Sequence, residues 1–132
     1  MDKEAAVESL TDVMAKFTAY IGKRLPKDVK EKTAKLRAAE TNPLAIAVYD
    51  SMADNQEYAD KLNRPSCQDT GVIQYFISAG AQFPLLSDLE GILENATKEA
   101  TIKGPLRHNA VETFIEKNTG TNTGSKIPWR SE

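Results

Sequence analysis

The chain has 132 residues, 40% of them apolar and 27% charged, a balance that suits one modest folded domain and speaks against global disorder. Its formal net charge of −2 gives no basic surface for nucleic acid, no apolar run is long enough to span a bilayer, and the start Met1-Asp2-Lys3-Glu4 has no hydrophobic signal core. Cytoplasm is the expected location, and the single cysteine excludes an internal disulfide or a closed metal site of its own.

Ala6, Leu10, Val13, Phe17 and Ile21 recur at three- and four-residue steps and predict a first helix with these on its buried face; Val7 and Met14 widen the stripe. Gly22 and Pro26 end it, and Pro26 can open the next helix. That second helix, Lys27 to Glu40, is rich in charge. Val29, Leu36 and some alanines are its only apolar seam, so it belongs on the surface. Asn42-Pro43 starts a third helix, with a capping side chain and then proline in the first turn. Leu44, Val48 and Met52 are its expected buried stripe. It runs towards Asn63 and delivers the chain to Arg64-Pro65, where proline disfavours helix. Cys67 therefore falls in a loop just after a helix.

Val72 to Ile77 is β-branched and aromatic, has turn residues on both sides, and predicts the central strand. Ser87-Asp88-Leu89-Glu90 reads as a capping box. The helix behind it carries Leu89, Ile92, Leu93 and Ala96 on one face, should pack over the strand, and ends at Gly104-Pro105. Asn95-Ala96-Thr97 fits the glycosylation sequon, but inside a helix and without a secretory signal it is a coincidence. Val111 to Ile115 suggests a short strand or turn, and Ile127-Pro128-Trp129 another short strand. Between them Asn118-Thr119-Gly120-Thr121-Asn122-Thr123-Gly124 is a polar loop punctuated by glycine. The expected fold is helix-rich α+β, with the N-terminal helices packed on each other and holding the Cys67 loop.

Three stretches carry candidate chemistry. Cys67 is followed by Gln68, Asp69, Thr70 and Gly71, a poor core segment but a reasonable loop facing a polar ligand. A thiol there suits either a nucleophile, which needs a nearby base, or a soft metal ligand. His108 is the only histidine and lies far away in sequence, so spacing alone does not choose. Arg107-His108-Asn109 comes second. Arginine can grip a carboxylate through two parallel hydrogen bonds; with Lys103 just upstream, the plain alternative is a solvated basic patch. The Asn-Thr-Gly repeats come third. Gly120 to Lys126 fails the phosphate-loop pattern, with three residues between the glycines and Ser125 before Lys126. A simple turn-rich loop and a loop whose amides help hold an anion both remain open.

The string Asn63-Arg64-Pro65-Ser66-Cys67-Gln68-Asp69-Thr70-Gly71 resembles the first cluster-ligand motif of an iron–sulfur hydro-lyase family, that of the class I fumarases and L(+)-tartrate dehydratases. Phe83-Pro84-Leu85-Leu86, the stretch Pro105 to Glu112, and the Asn-Thr-Gly repeats before Pro128-Trp129 are similar to the tartrate-type alpha subunit. The resemblance runs through almost all of residues 1–132 and identifies them as the front part of an alpha-type catalytic domain. It implies a 4Fe-4S cluster held by three cysteines, with the open iron acting as a Lewis acid on the substrate hydroxyl. It makes Cys67 the first metal ligand, Gln68 and Asp69 pocket residues with Asp69 the catalytic acid–base group, and Arg107 a binder of substrate carboxylate. The implied reaction removes water from a hydroxy-dicarboxylic acid, tartrate to oxaloacetate, with fumarate hydration to malate as the alternative. The other two cysteines, and a beta-type subunit or C-terminal domain in a hetero-oligomer, are expected outside this chain, which should be inactive by itself.

Overall fold

Four helices and one short hairpin account for the regular structure among the described residues, 2–67, 71–104, 106–112 and 116–123, of the computed structural model. Helix α1 spans Lys3–Ile21, α2 Lys27–Ala39, α3 Pro43–Leu62 and α4 Leu89–Lys103. Strands β1 (Val111–Glu112) and β2 (Lys117–Asn118) pair antiparallel, Val111 opposite Asn118 and Glu112 opposite Lys117. This is the helix-rich α+β class that the periodicity predicts. The chain divides into two units, residues 1–19 with 70–132, and residues 20–69.

In the first unit α1 and α4 run in the same direction. Lys3 Nζ lies 2.9 Å from Asp88 at the start of α4, and Ala19 meets Gly104 just beyond its end. The buried face of α4 is Ile92, Leu93, Ala96, Thr97, Ala100 and Thr101, the helical spacing expected from sequence, with Thr97, Ala100 and Thr101 added and the expected Leu89 only half-buried. The buried face of α1 is Thr11, Ala15 and Thr18. Here the apolar stripe misleads: Val13, Phe17 and Ile21 are about half exposed, while Leu10 and Met14 are partly covered. Threonine is tolerated inside because each hydroxyl turns back to its own helix. Thr11 donates to the Val7 carbonyl, Thr18 to Met14, Thr97 to Leu93 and Thr101 to Thr97, all at 2.8 Å. Polar demand is met locally, and the methyl groups remain free to pack.

The stretch Val72 to Ile77 forms no strand. It keeps a strand's alternation, with Ile73 and Tyr75 half-buried and Val72, Gln74 and Phe76 exposed, but it has no ladder partner among the described residues. β-propensity marks a chain that fits a pleated surface; the ladder needs a second strand. Tyr75 instead ties the segment to the helices: its hydroxyl lies 2.7 Å from Thr18 Oγ1 and 3.1 Å from Thr97 Oγ1. The segment thus lies against α4, as expected of the predicted strand.

The capping box at Ser87 does not form either. A 3-10 turn, Leu86–Asp88, runs directly into α4, and no side chain caps the first amides. The turn is closed by Asp88 N, which donates to Leu85 O at 3.0 Å. Ser87 Oγ bonds Asp88 instead, at 3.1 Å. At the other end α4 stops at Gly104 as predicted.

In the second unit α2 is exposed along its length, as its charge pattern predicts. Asn42 caps α3 by accepting Leu44 N at 2.9 Å, with Pro43 opening the helix. The expected buried stripe of α3 is exposed: Leu44 75%, Val48 53% and Met52 47%. Only Ala59 of α3 is buried. The periodicity reports an amphipathic face correctly but nothing among the described residues of this unit covers it. α2 and α3 are joined instead by a fork of two bonds, Arg37 to both oxygens of Asp50 at 2.7 and 3.0 Å. The predicted strand at Ile127-Pro128-Trp129 lies outside the described residues.

Two measurements check this architecture. A Cβ at Gly104 would sit 2.5 Å from Ala100 O and 2.6 Å from Ala19 Cβ, so Gly104→Ala must push α1 off α4. It should cost about 1–3 kcal/mol and lower the melting temperature by roughly 5–10 °C. The bond from Arg37 holds the Asp50 carboxyl below its ordinary 3.8, so Asp50 takes up its proton at lower pH folded than unfolded. Its contribution is present above that value and lost as pH falls below it. Asp50→Asn should therefore lower the melting temperature at neutral pH, by a few degrees at most for so exposed a pair. The difference from the parent chain should close in acid.

Candidate functional site

The loop that presents Cys67 begins with a helix terminus. Asn63 adopts a left-handed backbone, φ 51° and ψ 47°. Arg64 N returns to the Ala59 carbonyl at 3.0 Å and Asn63 N to Asp60 at 3.4 Å, the paired bonds of a Schellman ending. Arg24 Nε holds Asp60 at 2.9 Å and Lys23 Nζ holds Asn63 Oδ1 at 2.7 Å, so the last turn of α3 is fastened from outside. Pro65 then bars further helix. Ser66 is 1% exposed, and its hydroxyl has no partner among the described residues, a local cost of about 1–3 kcal/mol. Cys67 follows, exposed, with its N–H donated to Asn55 Oδ1 on α3 at 2.7 Å. The thiol is thus exposed on a backbone held through Asn55, which is incompatible with a buried structural cysteine.

The second element is the segment after α4. Residues 106–110 lead into β1 and are held from the Asn-Thr-Gly loop. Asn122 Oδ1 accepts Asn109 N at 2.6 Å and Ala110 N at 3.3 Å, while its Nδ2 donates to Arg107 O at 2.6 Å. Asn118 Nδ2 donates to His108 O at 2.5 Å, and Thr119 N to Ala110 O at 3.0 Å. Asn109 Nδ2 reaches Gly71 O at 3.2 Å. The stretch around Arg107 is therefore bonded to Gly71, within the first unit.

Cys67 and Arg107 are both exposed, in different units, and Gln68 and Asp69 lie outside the described residues. Among the described residues the Arg107 guanidinium has no ion pair. Lys103 does, with Glu99 at 2.7 Å, a bond that raises its pKa. His108 is exposed. Sequence reasoning left out Asn55, and it read Asn118 and Asn122 only as parts of a turn or an anion loop. Asn55 has no signal, being one polar residue on an exposed helix. Asn122 had a partial one, since an Asn-Thr-Gly repeat favours left-handed backbone, and its φ is 56°. No group of three histidine, cysteine, aspartate or glutamate side chains stands together among the described residues. A cavity of about 370 Å³ in the first unit, lined by Leu10, Met14, Ile77, Phe83, Ile92 and Leu93 among others, is too apolar for a dianion.

A family model described as fumarate hydratase (Fumerase) matches residues 11–132, nearly the whole chain. The chain belongs to the fumarate hydratase family. Among its relatives is the L(+)-tartrate dehydratase subunit alpha of Escherichia coli O157:H7, 53% identical over 128 residues, 97% of this chain and 42% of the relative. The protein of the same description from Escherichia coli strain K12 is 52% identical over the same shares. A putative L(+)-tartrate dehydratase subunit alpha of Methanocaldococcus jannaschii is 28% identical over 123 residues, 91% of this chain and 43% of the relative. The chain spans about two fifths of the length of the curated relatives it matches. Within this fumarate hydratase-family chain no described helix is long and apolar enough to cross a membrane.

The exposure of Cys67 has a direct check. Titration of the native chain with a disulfide reagent such as Ellman's should release one equivalent at a rate within about tenfold of the unfolded chain. A thiol that reacts only on unfolding would contradict the placement of the loop.

Proposed function

We propose that the chain is the front part of the alpha-type subunit of a hydro-lyase that removes water from a hydroxy-dicarboxylic acid, L(+)-tartrate to oxaloacetate. Family membership and the tartrate dehydratase descriptions of its relatives support this reading. The observation that carries it is the match of residues 11–132 to the fumarate hydratase family together with 53% identity to an L(+)-tartrate dehydratase subunit alpha. Fumarate hydration to malate is the second reading, favoured by the description of the family model.

In this proposal Arg107 binds one substrate carboxylate through two parallel hydrogen bonds. Gln68 lines the pocket. Asp69 takes the proton from the carbon next to the departing hydroxyl. As that C–H bond breaks, its electron pair forms the carbon–carbon double bond and the C–O bond breaks with its pair on oxygen; the departing hydroxide combines with the proton taken by Asp69 and leaves as water. The enol that remains becomes oxaloacetate by moving one proton from oxygen to carbon. Cys67 is proposed as one ligand of the 4Fe-4S cluster that the motif implies; such a cluster supplies a Lewis acid when bound. An exposed thiol on a fixed loop fits one ligand position. It does not fit the whole set: a single thiolate cannot replace three, so this chain is proposed neither to hold the cluster nor to turn over substrate by itself. Two more cysteines and a beta-type subunit or C-terminal domain are proposed to complete the enzyme, in the cytoplasm.

Two experiments bear on this. Anaerobic reconstitution of the isolated chain with iron and sulfide should give neither stoichiometric visible absorbance nor dehydratase activity. In a chimera, residues 1–132 replace the matching region of the Escherichia coli alpha subunit, produced together with its partner subunit. There Cys67→Ala should abolish cluster absorbance and lower tartrate dehydration by at least about a thousandfold. Full activity in that variant would refute the assignment.

A further inference from the structure

We propose that Asn122 is a positioning residue for Arg107: its side-chain amide fixes the backbone from which the guanidinium meets a substrate carboxylate. The proposal rests on the reading of Arg107 as the carboxylate-binding group. A side-chain amide offers two donor hydrogens and a carbonyl oxygen with two lone pairs. All four are used here. Oδ1 accepts from Asn109 N at 2.6 Å and Ala110 N at 3.3 Å; Nδ2 donates to Arg107 O at 2.6 Å and to Thr101 Oγ1 at 3.1 Å. Thr101 is 1% exposed on α4, and its own proton goes to the Thr97 carbonyl at 2.8 Å. A continuous path therefore runs from the buried face of α4, through Thr101 and Asn122, to the carbonyl of Arg107.

Asparagine suits the place for two reasons. Its φ of 56° is in the left-handed region, which asparagine enters more easily than most residues. Its amide is neutral, so it grips the main chain without competing with a substrate carboxylate for the guanidinium. Aspartate would keep the two accepted bonds, lose both donated ones and add a negative charge. Glutamine would carry the amide one methylene too far. Asn118 holds the next carbonyl, that of His108, so the 107–108 backbone is held from both asparagines of the repeat.

A loosened arginine weakens carboxylate binding equally in the ground state and the transition state, which raises KM and leaves kcat. Asn122→Gly removes the whole side chain while keeping the left-handed backbone comfortable. In the chimera described above it should raise KM for tartrate roughly tenfold with kcat within about threefold. Asn122→Asp should raise KM at least as far, since it loses both donated bonds and adds a negative charge. In an Arg107→Ala background Asn122→Gly should add little, since both act through one group. In the isolated chain, amide exchange at Asn109 and Ala110 should quicken at least about tenfold in Asn122→Gly, with the buried turns of α4 unchanged. An unchanged KM, a loss confined to kcat, additive effects with Arg107→Ala, or unaltered exchange at these two amides overturns the proposal. If Arg107→Ala itself leaves KM unchanged, the carboxylate reading of Arg107 fails, and the exchange result judges the clamp by itself.

Discussion

Tyr75 reaches between α1 and α4 and shares its hydroxyl with Thr18 at 2.7 Å and Thr97 at 3.1 Å. Both threonines also donate to carbonyls of their own helices, Met14 and Leu93. A small network thus closes where two helices and an extended segment meet, and it does so without a large apolar core. The buried side chains on α1 and α4 are chiefly alanine and threonine, with Ile92 and Leu93 the larger exceptions. Small side chains allow the close approach at Ala19 and Gly104, and the hydroxyls supply direction that alkyl groups lack. The segment fixed by Tyr75 begins at Gly71, where Asn109 bonds. The placing of the Arg107 stretch therefore depends on the helix seam behind it.

The second unit is built on a different principle. Between Tyr20 and Cys67 only Ala59 and Ser66 are buried. Its order comes from termini and ion pairs: the Asn42 cap, the Schellman turn at Asn63, and the Arg37–Asp50 and Arg24–Asp60 pairs. Exposed pairs of this kind contribute little each, and helices without a packed face are marginal by themselves. What these contacts supply is direction. They fix where α3 ends, and α3's end fixes where Cys67 emerges.

Helix positions were legible because their punctuation is chemical. Pro26, Asn42-Pro43, Asn63 before Arg64-Pro65, and Gly104 each act through local sterics or a single bond, and each stands where expected. The buried face was less legible, since Val13, Phe17, Leu44, Val48 and Met52 share a helical period yet face outward. Periodicity tells that a face is apolar and says nothing of the body that covers it. The strand at Val72 to Ile77 failed for the same reason, as a ladder is a property of two segments. Cys67 stands in a loop just after a helix, as Arg64-Pro65 predicts. Asn55 carried no signal, because its role is a bond to a residue twelve positions away on a loop, which no local pattern encodes.

The two asparagines of the repeat show how a polar loop can hold a neighbouring segment through its side chains. Backbone amides aimed at a ligand bind it by charge and dipole, the reading that the sequence alone invites. Here the loop points its side-chain amides at another piece of backbone instead. Asn118 and Asn122 bond the carbonyls of Arg107 and His108 and the amides of Asn109 and Ala110, Asn109 in turn reaches Gly71, and the Arg107 guanidinium has no ion pair among the described residues. An arginine held this way keeps its hydrogen-bonding fork for a carboxylate, whereas one steadied by an aspartate would have to give that partner up first. Neutral amides are therefore the economical means of fixing a segment that carries a cation, because they hold its backbone without engaging its charge.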